Sequence, residues 1–263
     1  MSTLSIVIPV FNKFHLTQRC LRSILDNSTG KHQITVIDNA STDETSQELP
    51  KLKAIFTEKG WNFEVITNPK NVGFGRAMNQ GAKVSTGEFL ALVNNDTFLL
   101  PEWDKNLLTT LEAHPELDLI FPYIDETKPF DEAETLKRGL LFQRRNQRRM
   151  RKTFTGVLMF FRKKAFDELQ GFDERFFVTY EDTDLRVRMD QKNMQYRMVG
   201  SCFIWHQSMA TRGDKKSLPP AYELEGKKLF FDKWGFHYAD KERTQRAKWS
   251  RRWVRFLNRW GFL

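Results

Sequence analysis

"FLALVNNDTFLLP", residues 89–101, halts an apolar run at two asparagines and an aspartate and then resumes it. Phe89–Val93 reads as a strand, short and continuously apolar, of the kind buried on both faces of a parallel sheet. Asn94-Asn95-Asp96 is then a plain turn, since Asn and Asp tolerate left-handed backbone, or the polar end of a strand that opens on a ligand. The flanking sequence decides between them.

Upstream, strands and helices alternate. Leu4–Val10, Gln33–Ile37 and Phe63–Thr67 carry strand patterns; Thr17–Leu25, a segment opening at Thr42–Leu49, and Gly75–Lys83 carry helical ones. This alternation predicts an α/β fold with a Rossmann-like, doubly wound and mostly parallel sheet. Such sheets bind ligands outside the carboxyl ends of their strands. Four predicted strand ends are polar or glycine-rich: Pro9-Val10-Phe11-Asn12, residues 38–43 ("DNASTD"), residues 68–75 ("NPKNVGFG") and Asn94-Asn95-Asp96. One polar turn is ordinary. Four in register predict a site.

Downstream, Thr153–Phe161 reads as a strand, Lys163–Leu169 as a helix and 171–179 as a loop. A further helix starts at Glu181-Asp182 and runs through Met189, and two short strands, Tyr196–Val199 and Cys202–Trp205, end in His206. Residues 125–152 read as a surface insertion or flexible loop.

Composition narrows the class. A chain of 263 residues, 40% hydrophobic and 29% charged, suits one folded domain, or one with a small appendage, and not a disordered segment. Cys20 and Cys202 make neither a disulfide framework nor a metal-ligand spacing, which fits a reducing cytosol. The first apolar run lacks a basic leader, so no signal peptide is expected, and no run approaches the ~20 residues of a spanning helix. The net charge of +9 is concentrated: residues 241–263 carry eight Lys/Arg against one Glu, and "RRNQRRMRK" (144–152) carries six cations. The body outside them is acidic. Basic segments of this kind point to polyanionic partners.

Asp38, at a strand end, is placed to accept hydrogen bonds from a base or ribose, while Ser41, Thr42 and Asp43 equally suit a helix cap. Gly73-Phe74-Gly75 is not the G-x-G-x-x-G dinucleotide fingerprint, because Met78 stands in its sixth position. A glycine-rich helix entry still suits phosphate or sugar, and Arg76 adds a cation. Asp96 between uncharged neighbours suits a hard divalent cation that screens a diphosphate, and His206 is a second ligand or a packed histidine. Glu181, Asp182 and Asp184 crowd one helix start. They either complement the helix dipole, with an Asp184–Arg188 pair, or provide a general base whose pKa is raised by mutual repulsion.

At these residues the chain resembles the family 2 glycosyltransferases of the GT-A fold. The matching segments are "SIVIPVFN", "VIDNASTD", "NVGFGRAMNQG", "FLALVNND", "TGVLMFFRKKAFDELQGFDERFFVTYEDTDL" and "WHQ", in that order from residue 4 to about 207. The resemblance implies that Pro9, Phe11, Asn12 and Asp38 hold the base and ribose of a nucleotide-sugar. It places Asn71, Gly73, Arg76, Asn94 and Asn95 at the donor site. Asn94-Asn95-Asp96 stands where the family has D-x-D, with Asn94 in place of the first acid, so Mg²⁺ or Mn²⁺ would rest mainly on Asp96 with His206 as second ligand. Asp182 falls at the catalytic base, with Glu181 and Asp184 on the acceptor side.

The implied reaction is inverting transfer from a UDP- or dTDP-sugar, dTDP-rhamnose among them, to a hydroxyl of a lipid-linked glycan in surface polysaccharide synthesis, as in bacterial rhamnosyltransferases. The implied organisation is one GT-A domain, 1–240, split into a nucleotide-sugar half (1–100) and an acceptor half (101–240), followed by a basic tail (241–263). Within "KWSRRWVRFLNRWGFL" (248–263), Trp249, Trp253, Phe256, Leu257 and Trp260 share one helical stripe beside five cations. That amphipathic tail helix packs on the body or lies in the headgroup layer of an anionic membrane. The second reading puts a cytoplasmic protein peripherally on the inner face of the cytoplasmic membrane. Two other classes compete. A non-catalytic nucleotide-sugar-binding module has no use for the intact "YEDTD". A nucleic-acid-binding protein leaves the four strand-end loops without a purpose, so no nucleic acid is expected.

Overall fold

The computed structural model describes residues 3–207 and 220–236; the expected tail helix of 241–263 lies outside the described residues. The first half comprises β1 (Leu4–Val10), α1 (Phe14–Asn27), β2 (Gln33–Asp38), α2 (Thr45–Glu58), β3 (Asn62–Thr67), α3 (Phe74–Val84) and β4 (Phe89–Val93). The second comprises β5 (Thr97–Leu99), α4 (Trp103–Ala113), β6 (Leu119–Asp125), α5 (Glu132–Asn146), β7 (Met150–Arg151), β8 (Leu158–Arg162), α6 (Lys163–Glu168), α7 (Glu181–Gln191), β9 (Tyr196–His206) and α8 (Pro220–Trp234).

The nine described strands make one sheet in the order β3-β2-β1-β4-β8-β6-β9-β5, with β7 also on β9. Strands β1 to β4 are mutually parallel, and β6 and β9 share their direction, while β5, β7 and β8 run against them. The sheet is therefore mixed α/β and mostly parallel. The chain winds outward from β1 through β2 to β3, then returns to add β4 on the other side of β1. That reversal opens a crevice above β1 and β4.

The apolar runs of β1 and β4 follow from burial on both faces. Ile6, Ile8, Val10, Phe89, Ala91 and Val93 point into one core cluster, while Val7, Leu90 and Leu92 point into the other, beside Ala77 and Met78 of α3. Alternation of side chains across a strand makes each such residue apolar whichever face it takes. At about 25 cal/mol per Å² of apolar surface removed from water, these two layers dominate the favourable side of folding.

The second half departs from its sequence reading in three places. Residues 125–152 are not a flexible loop: they hold α5, capped by Asp131, whose Oδ1 accepts from the Glu134 amide at 2.8 Å. No apolar period marks this helix in the sequence, because its buried face is Thr135, Gly139 and Gln143. Gly139 lets the helix sit close there, since a Cβ would overlap the side chains of Leu100 and Phe203 unless they shifted. Residues 153–157, expected to be strand, are irregular, and only Leu158–Arg162 pairs with β4. Tyr196–His206 is one strand, but its register on β6 jumps: Pro122 pairs with Val199 and Tyr123 with Phe203.

Candidate active site

The carboxyl ends of β1, β4 and β9 and the first turn of α7 surround a cavity of about 860 Å³. Of the residues singled out by sequence, Pro9, Phe11, Asn71, Gly73, Asn94, Asn95, Asp96, His206, Glu181 and Asp182 line it. Asn12, Asp38, Arg76 and Asp184 do not lie on its wall, and each has other partners.

Asn12 locks the loop after β1 to the loop after β2. Its Oδ1 accepts from the amides of Thr42 and Asp43, at 2.7 and 3.3 Å, while its own amide donates to Ser41 Oγ. Asp38 is buried and accepts from the Ser41 amide at 2.9 Å. Asn39, which the sequence reading passed over, lines the cavity instead. Its side chain donates to Gly73 O and accepts from the Val72 amide and Asn68 Nδ2, fixing the loop that enters α3. Gly73 has φ +88°, and the carbonyl of Phe177 occupies the space of a Cβ, so only glycine fits. Arg76 pairs with Glu174 at 2.9 Å on the exposed side of α3.

Asn94-Asn95-Asp96 is a turn between β4 and β5, and its hydrogen bonds aim its side chains. The Asn94 amide donates to Val157 O, Asn95 Nδ2 donates to Thr17 Oγ1, and Asp96 O accepts from the Gln207 amide. Cys20 approaches Asn94 O from beneath; burial pushes its thiol up to about 12, so it stays a neutral packing group. Asp96 Oδ1 lies 3.1 Å from His206 Nε2, and His206 Nδ1 meets Glu126 Oε1 at 2.5 Å. Burial opposes the imidazolium, but hydrogen bonds and charge from Asp96 and Glu126 outweigh it and raise the His206 pKa. Glu126 was missing from the sequence reading.

A neutral His206 that donates from Nδ1 to Glu126 turns its Nε2 lone pair toward Asp96. Two acceptors that close require a cation between them, a proton or a metal. Asn94 Oδ1, on the same wall, is buried without a hydrogen-bond partner among the described residues. The carboxylate, the imidazole and its outer carboxylate are the donor set and second shell that a divalent cation takes. The residues fit such an ion. Among the described residues no cluster of three His, Cys, Asp or Glu side chains forms a protein-only metal cage, so further ligands would come from substrate and water.

At the first turn of α7, Asp182 Oδ1 accepts from the Thr183 amide at 2.7 Å, and Oδ2 stands close to Gly156, where a Cβ would come within 3.2 Å. Tyr180, at φ +69°, turns the chain into α7 and packs its ring on Phe230 of α8. A bulky residue in that region holds about 1–3 kcal/mol of strain, maintained by surrounding packing. Asp184 is turned away, accepting from Arg188 Nε at 2.8 Å and from Trp234 Nε1 at 2.9 Å, with Lys233 Nζ at 2.6 Å. It fastens α8 to α7. That fastening brings Tyr222 to the cavity mouth, where it stacks on Phe177 with ring centres 5.4 Å apart.

Residues 5–170 match the model of the family described as glycosyl transferase family 2. The chain belongs to glycosyl transferase family 2. A second match, glycosyl transferase family group 2, spans residues 91–262. The amylovoran biosynthesis glycosyltransferase AmsE of Erwinia amylovora is 26% identical over 193 residues, covering 70% of this chain and 68% of AmsE. The putative glycosyltransferase EpsH of Bacillus subtilis is 26% identical over 116 residues, 44% of this chain and 32% of its own length. An uncharacterized glycosyltransferase of Haemophilus influenzae is 24% identical over 45% of this chain and 37% of that protein. The chain thus spans about a third of the length of these last two relatives.

Among solved structures, Staphylococcus aureus TarS superposes with a TM-score of 0.63 at 16% identity, over 86% of this chain and 38% of TarS. The mannosyltransferase PcManGT of Pyrobaculum calidifontis, solved with GDP-Man and Mn²⁺, superposes at 0.61 and 17% identity, over 81% of this chain and 58% of that one. For this family 2 chain those likenesses establish the fold. No helix among the described residues is long and apolar enough to cross a membrane.

Proposed function

We propose that this cavity transfers a sugar from a nucleoside-diphosphate-sugar to an acceptor hydroxyl with inversion. The observation that carries the reading is that Asp182 and the Asp96–His206 pair, supplied by different elements, line one cavity large enough for a nucleotide-sugar. In one displacement, the Asp182 carboxylate takes the proton of the acceptor hydroxyl as that oxygen bonds to the anomeric carbon. The bond from that carbon to the diphosphate oxygen breaks, and the nucleoside diphosphate leaves. Gly156 leaves room beside Asp182 Oδ2 for the acceptor.

Pro9, Phe11 and Asn39 form the wall for the base and ribose, and Asn71, Gly73, Asn94 and Asn95 border the sugar diphosphate. Asn12 and Asp38 act behind that wall by holding its loops. Mg²⁺ or Mn²⁺ on Asp96 and His206, when bound, supplies counter-charge to the leaving diphosphate. The PcManGT complex with GDP-Man and Mn²⁺ supports this reading by likeness of fold. The donor is a UDP- or dTDP-sugar and the acceptor a lipid-linked glycan in surface polysaccharide synthesis; the likeness to AmsE, an amylovoran biosynthesis glycosyltransferase, supports the biosynthetic role. The enzyme works at the inner face of the cytoplasmic membrane, its 241–263 tail binding anionic lipid. Residues 1–100 serve the donor and 101–240 the acceptor, except that His206 reaches back to the cation of the donor diphosphate.

A panel of nucleotide-sugars with and without Mn²⁺ tests the donor side, since a ligand bound only by the native state raises its unfolding temperature. The cognate donor should give a metal-dependent rise. Asp182→Asn should keep that rise while transfer falls by about 10²–10⁴-fold. Near-normal turnover in this variant would move the base elsewhere.

A further inference from the structure

Helix α5 carries a surface that the transfer chemistry does not use. Lys137, Leu140, Leu141, Arg144 and Arg145 recur at the i, i+3, i+4, i+7, i+8 spacing of one helical face, Arg148 follows in the turn after the helix, and all six are exposed. Leu140 and Leu141 are 48% and 45% exposed, a pair of large apolar side chains on the outer crest of a helix. The opposite face, Thr135, Gly139 and Gln143, is buried, with Gly139 packed on Leu100 and Phe203 and Gln143 bonded to Ser201 O. Turning the helix to hide the leucines would therefore bury its cations.

The charge around the leucines is of one sign. Residues 137–152 contain eight Lys and Arg and no Asp or Glu. Arg138 pairs with Asp125, whereas Lys137, Arg144, Arg145 and Arg148 form no ion pair among the described residues. A hollow of about 100 Å³ lined by Tyr123, Phe142, Arg149 and Arg151 adjoins the end of the helix. Its arginines and aromatic floor would suit a phosphate on a short apolar stem.

We propose that this face of α5 docks on an anionic phospholipid surface, with Leu140 and Leu141 entering below the headgroups and the flanking cations lying among them. The two parts of the face support one occupant together: cations alone would suit nucleic acid, but adjacent leucines at the crest have no partner in a phosphate backbone. The proposal is independent of the 241–263 tail and of the transfer reaction. It gives the folded body its own contact with the bilayer, on a helix that rests against β9, the strand ending in His206.

A local probe separates this contact from any made by the tail. In the full chain, Leu141→Cys labelled with a solvatochromic fluorophore should shift to the blue on vesicles of phosphatidylcholine with phosphatidylglycerol, and not on phosphatidylcholine alone; Cys20 and Cys202 are buried and leave the label to position 141. Reversing three exposed cations, Arg144→Glu, Arg145→Glu and Arg148→Glu, should lower vesicle affinity by about a hundredfold and abolish the shift. The unfolding midpoint of that variant serves as the fold control. Sedimentation with anionic vesicles without a shift at position 141 would overturn the proposal, as would no sedimentation at all. Retention on single- or double-stranded nucleic acid that the triple reversal removes, with vesicle binding unaffected, would overturn it in favour of a nucleic-acid surface.

Discussion

Two buried Asp–His pairs sit at opposite ends of the sheet, and they are built differently. At the end away from the cavity, Asp104 meets His32 Nε2 at 2.8 Å and also accepts from the amides of Thr29 and Gly30 and from Thr29 Oγ1. The His32 ring stands edge-on to Trp61. Both oxygens of that carboxylate have backbone or side-chain donors, so the pair holds the turn between α1 and β2. At the cavity end, Asp96 Oδ1 faces His206 Nε2 alone at 3.1 Å, and the other ring nitrogen is taken by Glu126. The same two residue types make a structural clasp where the carboxylate is saturated and a ligand site where it is not.

The contrast breaks most visibly through Asp96. Asp96→Ala should lower transfer by about 10²–10³-fold, the usual cost of losing one preorganised electrostatic group, with the unfolding midpoint nearly unchanged. Steady-state kinetics beside thermal unfolding read both quantities. A variant that unfolds early and transfers normally would make this pair structural like the other.

Asp104→Ala should do the reverse, destabilising by about 3 kcal/mol through the donors it strands in a buried site, with kcat unchanged in the folded fraction. The pH dependence adds a second reading. Burial opposes ionisation of Asp104, but His32, Thr29 and Gly30 outweigh it and hold its pKa below the usual carboxylate value. The stability it contributes is complete above the unfolded value near ~4 and lost as pH falls through the depressed native one. Urea unfolding of wild type and Asp104→Asn should therefore converge in acid and separate toward neutrality.

The smallest effect concerns Glu126. Glu126→Gln should weaken Mn²⁺ binding by about 10–100-fold, the typical worth of an outer partner of a metal-binding histidine. In wild type, affinity measured by calorimetry should decline as pH drops, because the ion must displace the proton that the raised His206 pKa retains. Affinity independent of pH, with no loss in Glu126→Gln, would leave His206 outside the metal site.

What the sequence disclosed follows the same division. β1, β2 and β4 are legible because both faces of each are buried and local pattern coincides with tertiary environment, while β3, at the sheet edge, is half-exposed. The loops above them were legible as a group, yet which member faces the cavity was not: neighbouring Asp38 and Asn39 differ only in the way a side chain turns. Glu126 could not be found, being tied to a histidine 80 residues away. Tyr222 joins the cavity only through α8, whose attachment rests on Asp184 with Lys233 and Trp234. The Asp184–Arg188 spacing was visible as a helical pair, and its burial as a clasp was not.

The register jump in β9 gives chain length a chemical meaning. Between the pairings of Val199 and Phe203, three residues pass with no counterpart on β6, and the count resumes to set His206 opposite Thr97. The strand behaves like a reading frame whose phase is chosen at Gly200–Cys202 and expressed at its far end. A one-residue deletion there, far from any substrate, would advance Gln207 into the place of His206 and exchange an imidazole for an amide. Along this strand, insertions and deletions act as missense changes in the cavity.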